Sequence, residues 1–270
     1  MKQFVLIVWF AILYVSMPVV AKQIANDPRH DCRAYKAIIH GRWYDRAFID
    51  DVRRTRSPYR SFRALAGIVE LHIDTSQAAG DSLEVGAPGI HEGFSFTLTF
   101  ACGHVANALR TNIGALNQDD HHYELGFVVL KDDTSLVIYH YDARYMLIET
   151  TRYSRIRTNA ESALQVMVNK TLLSGRYDAV DSAGTHYTVT MTDDGRLSGI
   201  PGVKGYYVIT DYVAGPAQSV DEICFDIQTV NQRCYAFEIQ GKTIQLYKTQ
   251  ERDDRITLLR KKRVYTFVRK

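Results

Sequence analysis

Short apolar alternations separated by turn residues fill the second half of the chain, and a period of two commits that half to antiparallel strands. Residues 187–191 alternate. The turn-rich run DDGRLSGIPG leads into 206–212, then come 222–228, 233–239 and 243–248, with Gly241 making a tight hairpin. Residues 256–259 and 264–268 close the series, with the basic run RKKR of Arg260, Lys261, Lys262 and Arg263 as the turn between them. About eight short strands in roughly the last hundred residues predict a small antiparallel barrel. In the first half Phe94, Phe96, Leu98, Phe100 and Cys102 alternate with Ser95, Thr97, Thr99, Ala101 and Gly103, a strand with one buried face. Residues 68–73, 124–130, 135–141 and 145–149 extend the pattern, and 76–93 reads as a loop containing Gly and Ala. Seventeen tyrosines and eleven phenylalanines against six prolines suit a pleated, half-buried surface.

The cysteines test this strand reading. If Cys224 lies opposite Cys234 in a hairpin, Ile223 faces Tyr235 and the turn centres on Thr229. Ile223, Phe225, Ile227, Tyr235, Phe237 and Ile239 then share an apolar face, and Glu222, Cys224, Asp226, Cys234, Ala236 and Glu238 share the other. A cross-strand disulfide fits that register, and it leaves Cys32 and Cys102 to pair across a long loop. The competing state is a pair of free buried thiols.

An internal similarity divides the chain. Residues 36–43 read KAIIHGRW and residues 170–177 read KTLLSGRY, so lysine, glycine, arginine and an aromatic ring recur in register. Each copy follows an expected helix, at 31–39 and at 159–173, the latter with Thr158 or Asn159 as cap. Each precedes a strand-rich stretch.

A helix leading into Gly-x-Trp on a first strand, followed by an antiparallel meander and a late basic residue, resembles the lipocalins and related calycin barrels. Gly41, Arg42 and Trp43 match the Gly-x-Trp motif. Gly175, Arg176 and Tyr177 repeat it with tyrosine in place of tryptophan, and the resemblance assigns Arg269 to the closing arginine over that ring, a cation on an aromatic face. It implies a mainly β protein of two small lipocalin-like barrels in tandem, each preceded by a short helix. The expected organisation is an export signal at 1–21, a first barrel at 22–157, and a linker helix with the second barrel at 158–270. By the same resemblance, each barrel either binds a small apolar ligand or is packed solid, which strand counting does not decide.

The amino terminus sets the compartment. Lys2 precedes an apolar run that ends on Val19 and Ala21, as in a secretory signal peptide, so the mature chain is expected to begin at Lys22 in the periplasm or outside the cell, with no membrane span after cleavage; the competing reading is an uncleaved anchor helix over the apolar stretch 4–20. Hydrophobic residues at 46% and charged residues at 23% fit a chain that buries a core. With 33 basic and 30 acidic residues, no whole-molecule field draws it to nucleic acid.

Chemistry-bearing residues are sparse. Glu70, His72 and Asp74 share one face of a strand while Val69, Leu71 and Ile73 take the other, and they are the weak catalytic candidates; the competing reading is a solvated outer face. Asp119, Asp120, His121 and His122 offer ligand atoms in sequence, but adjacent residues diverge on regular structure, so a polar turn is expected and no metal or cofactor. His140 sits on the face opposite Tyr139 and Tyr141. His104 follows Cys102 too closely for a thiol and imidazole pair if Cys102 is oxidised. Arg53, Arg54, Arg56, Arg60 and Arg63, interleaved with Tyr59 and Phe62, and the RKKR run are read as solvated loops, with an anionic envelope component as the alternative partner. Asn169 and Thr171 form a glycosylation sequon. The functional expectation is a binding protein for a small hydrophobic or amphipathic ligand. A structural or interaction protein of the cell envelope with packed barrels comes second, and an enzyme acting through the 70–74 strand third.

Overall fold

Two antiparallel meanders, each of eight strands, account for most of the ordered backbone in a computed structural model that describes residues 32–62, 65, 67–89, 92–130, 133–158, 160–212, 220–251 and 258–270. The expected export signal at 1–21, and with it Lys22, Arg63, Asn159 and Ile256, lies outside the described residues. The first meander runs β1 Gly41–Asp45, β2 Glu70–Ile73, β3 Ser82–Ala87, β4 Phe94–Cys102, β5 Ala108–Thr111, β6 His122–Leu130, β7 Asp133–Tyr141 and β8 Leu147–Ile156. It closes into a barrel by pairing β8 with β1, where Trp43 faces Arg155.

The second meander comprises β9 Gly175–Asp181, β10 His186–Met191, β11 Leu197–Ser198, β12 Tyr206–Val208, β13 Glu222–Phe225, β14 Arg233–Gln240, β15 Thr243–Glu251 and β16 Leu258–Arg269. Here β16 returns to β9, with Arg269 opposite Tyr177. Strands β11 and β12 end the sheet without a ladder between them, and their seam is held by the bridge between Arg196 and Gly205 and by Leu197 N–H donating to Lys204 O at 2.8 Å. The protein is mainly β, with one closed barrel and one nearly closed.

The hairpin register follows the parity argument. Cys224 lies opposite Cys234 and Ile223 opposite Tyr235, and the disulfides are Cys224–Cys234 and Cys32–Cys102. Ile223, Phe225, Tyr235 and Phe237 enter the core as expected. Ile227 does not belong to that face: β13 ends at Phe225, and Asp226 turns the chain at φ 48° while its carboxylate accepts from the N–H groups of Lys204 and Gly205, both at 2.9 Å.

Several expected boundaries move for local reasons. Residues 260–263 are no turn, because they continue β16 from Leu258 to Arg269; bulges in its pairing with β15 take up the irregularity, and Lys261, Lys262 and Arg263 project into solvent. The loop expected at 76–93 contains β3, whose Leu83, Val85 and Ala87 point inward. The strand expected at 206–212 stops at Val208, and that expected at 145–149 begins at Leu147 and runs on to Ile156.

Five α-helices accompany the barrels in the described residues: α1 Lys36–Ile39, α2 Arg46–Thr55, α3 Pro58–Ser61, α4 Ile113–Asn117 and α5 Ala163–Leu172. The helix expected at 159–173 starts later, because Ser162 is its cap, accepting from Gln165 N–H at 3.0 Å; Thr158 instead holds Ala160 N–H. The arginine-rich stretch after β1 is helical, contrary to the loop reading. Asp45 caps α2 by accepting from Ala47 and Phe48 N–H at 2.8 and 3.3 Å, and Arg56 ends it in the left-handed region. Ser57 caps α3, with Pro58 at its first position.

The connection between β1 and β2 joins the two halves. Phe48, Ile49 and Val52 of α2 and Val69 pack with Leu164, Val168 and Leu172 of α5 in the same buried cluster as the inward residues of the second barrel. Burying each such side chain stabilises by about 1.5–3 kcal/mol, so α2 owes its helix to partners that lie more than a hundred residues ahead in the chain.

Candidate functional site

The segments KAIIHGRW and KTLLSGRY make matching contacts where each meander begins. Gly41 carries φ 133°, a backbone state that disfavours a side chain, and it turns the chain from α1 into β1. Trp43 Nε1 donates back to Ile39 O at 2.9 Å, and the Arg155 guanidinium lies 4.4 Å over the indole while donating to Ile38 O. In the second barrel Gly175 has φ 156°, the Tyr177 hydroxyl donates to Leu173 O, and Arg269 donates to Leu172 O at 3.1 Å and to the Tyr177 oxygen at 2.8 Å. Burial raises the Tyr177 phenol above its ordinary value even though the bond from Arg269 and its charge oppose this. Arg155 is the partner for Trp43 that the sequence reading did not identify. The signal was its position near the end of the first meander, equivalent to that of Arg269.

Each barrel contributes a continuous buried cluster of aromatic and aliphatic side chains. Leu71, Val85, Phe96, Leu98, Leu109, Leu125, Leu136 and Tyr153 belong to one continuous buried cluster in the first barrel. In the second, Tyr177, Tyr206, Phe225, Tyr235, Phe237 and Phe267 do the same, with Phe225 and Tyr235 edge to face at 5.3 Å.

Glu70, His72 and Asp74 are not one constellation. Glu70 is buried rather than solvated, as the outer-face reading had it, and it serves the helix of the other half: it accepts from the Ser162 hydroxyl and from Ala163 N–H at 2.8 Å, at the N-terminus of α5. Burial works to raise its pKa, but the hydrogen bonds from His72, Ser162 and the α5 backbone outweigh it and hold the carboxyl below its ordinary value. His72 Nε2 lies 3.1 Å from Glu70. Asp74 leaves the strand, capping the turn at Thr75–Gln77 through Ser76 N–H.

The residues 119–122 likewise diverge. Asp119 accepts from His121 N–H at 3.1 Å, His121 Nδ1 meets His140 Nε2 at 2.8 Å, and His122 stacks on Tyr145 at 3.9 Å. His104 packs its ring beside Tyr141 and Tyr145, and its N–H is held by Glu124 at 2.6 Å; Cys102 is oxidised and is no nucleophile. Among the described residues the one cluster with ligand atoms close enough for a metal is Glu222, Cys224 and Cys234, whose sulfurs are already bonded to one another.

The arginines of the 53–63 stretch are partly neutralised. Arg53 pairs with Asp50 at 2.5 Å, Arg54 pairs with Asp51, and Arg56 donates to Gly241 O.

A different region holds arginines that make no direct pair with a carboxylate among the described residues. An open cleft of about 1110 Å³ runs over the outer surface of the first barrel beside its closing motif, lined by His40, Arg42, His72, Asp74, Glu84 and Ser95 together with Gln77, Arg155, Arg157 and Thr158. Arg42 donates to the Glu161 carbonyl, Arg155 to the Ile38 carbonyl, and neither pairs with a carboxylate among the described residues. No helix among those residues is long and apolar enough to cross a membrane. Comparison with family models, curated proteins and solved structures returns no match to this chain.

Proposed function

We propose that this chain is an exported interaction protein, secreted or periplasmic, built from two tandem lipocalin-like barrels whose interiors are packed and whose contacts with partners are made by the outer surface. The observation that carries this reading is that aromatic and aliphatic side chains of both barrels form continuous buried clusters, which favours cohesion over ligand capture as the work of the interior. The matching Gly-Arg-aromatic constellations, each closed by an arginine from the last strand, support a duplicated lipocalin-like unit. Two disulfides with no free cysteine among the described residues accord with an oxidising compartment. Commitment of Glu70 to the α5 N-terminus supports a positional role for that carboxylate over acid–base chemistry.

Native mass spectrometry of the mature protein, purified from its secretory compartment and compared with its denatured mass, tests this. A bare native mass carrying two disulfides and beginning at Lys22 is expected. Extra mass released on denaturation would overturn the packed-barrel reading in favour of a carrier for a small apolar ligand.

A further inference from the structure

We propose that the cleft over the closing end of the first barrel binds a segment of an acidic oligosaccharide, which deepens the surface-interaction reading above by naming the partner's chemistry. Three guanidinium groups, those of Arg42, Arg155 and Arg157, line one open cleft. Arg42 and Arg155 spend hydrogen bonds only on backbone carbonyls, and Arg157 makes no hydrogen bond or ion pair among the described residues. The Arg155 guanidinium is held below its ordinary pKa, first by burial and then by the neighbouring charge of Arg157. His40 and His72 add ring nitrogens to the same wall.

The cleft also carries two carboxylates, Asp74 and Glu84, against its three guanidinium groups, so the excess of positive charge is small and both signs face a ligand. Asp74 is occupied by Ser76 and Gln77, with His40 3.9 Å away, and Glu84 holds the Ser95 hydroxyl. Their outer lone pairs, with Gln77, Ser95 and Thr158, suit ligand hydroxyls, which donate to carboxylates and amide oxygens. A ligand must therefore bring anionic groups for the arginines and hydroxyl donors for the carboxylates. Sugars bearing carboxylate or sulfate groups combine both on one chain, and planar guanidinium forks match those anions in two-point contact. A cleft of about 1110 Å³ takes several sugar rings rather than a lone ion.

The test uses the full mature chain and four probes: a hexamer of galacturonic acid, a sulfated heparin hexasaccharide, neutral maltohexaose and inorganic phosphate. Titration calorimetry of the wild type is compared with that of the double variant R42Q/R157Q; Arg155 is kept because it holds Trp43. The expected result is binding of at least one acidic hexamer, weakened at least tenfold in the double variant and by raised salt, with no binding of maltohexaose. Far-UV circular dichroism and the melting temperature confirm that the variant is folded. Failure of both acidic hexamers to bind overturns the proposal, as does equal binding by the neutral hexamer, an unchanged affinity in the variant, or phosphate binding as tightly as a hexamer. A bare native mass with no glycan binding would remove this inference and leave the packed-barrel reading standing.

Discussion

Replacing Glu70 with alanine should uncouple the first barrel from α5 and lower stability by about 3 kcal/mol at neutral pH. Glu70 is 3% exposed and accepts hydrogen bonds from the Ser162 hydroxyl and Ala163 N–H. Hydrogen bonds to a charged group contribute about 1.5–3 kcal/mol each, and the orphaned Ala163 N–H would cost about 1–3 kcal/mol. Relief of the carboxylate's own desolvation offsets part of that sum. For a chain of this size about 3 kcal/mol corresponds to a fall in Tm of roughly 6–12 °C. The pH dependence carries a sign. A carboxyl held below its ordinary value of 4.5 stabilises the fold above that pH and loses the contribution as pH falls through its folded pKa. The gap between wild type and Glu70→Ala should therefore be widest at pH 7 and shrink below about pH 4. Urea unfolding followed by far-UV circular dichroism at pH 7 and pH 3.5 measures both quantities. A gap under about 1 kcal/mol at pH 7, or one that does not change with pH, would refute the capping argument.

Other residues yield further expectations. Asp45 is raised to about 6, chiefly by burial and despite the hydrogen bonds it accepts from Phe48 and Ala47. The folded state thus keeps a proton that the unfolded chain releases, and stability should fall by about 2 kcal/mol as pH climbs from about 4 to about 6; Asp45→Asn, which keeps the capping oxygen, should flatten that slope in melts across the range. Serine replacement of Cys32 and Cys102, which close a 70-residue separation, should cost about 4 kcal/mol, against about 3 kcal/mol for Cys224 and Cys234 at a separation of 10. Denaturant midpoints of the two double variants test that order. Arg155→Met removes the cation lying 4.4 Å from the Trp43 ring, and a loss of about 1–2 kcal/mol with a changed Trp43 emission spectrum is expected.

What could be read from the sequence was local and periodic. Alternation located β4, β6, β7, β10 and β14, because side-chain parity is a property of each strand by itself. The same parity fixed the Cys224–Cys234 register, and the repeated glycine and aromatic positions located both barrel closures. Helix α2 was missed because its apolar residues are few and its arginines many; what makes it a helix is a core contributed by the second half. Charged residues hid the middle of β16, where both faces of the strand are exposed at Lys261, Lys262 and Arg263. Parity placed Glu70 beside His72, but the alliance with Ser162 spans 92 residues and leaves no trace in local spacing. The arginine-lined cleft was equally hidden, since Arg42, His72 and Arg157 come from three separate strands or strand ends.

The α2 segment also dictates an order of events during biogenesis. It enters the folding compartment with the first barrel, yet Phe48, Ile49 and Val52 find their burial only when α5 and the strands through β16 have followed. Until then the leading half carries an uncovered greasy face. Synthesis of that half alone should leave it dependent on a holding chaperone and prone to self-association, while the complete chain conceals the same surface without assistance.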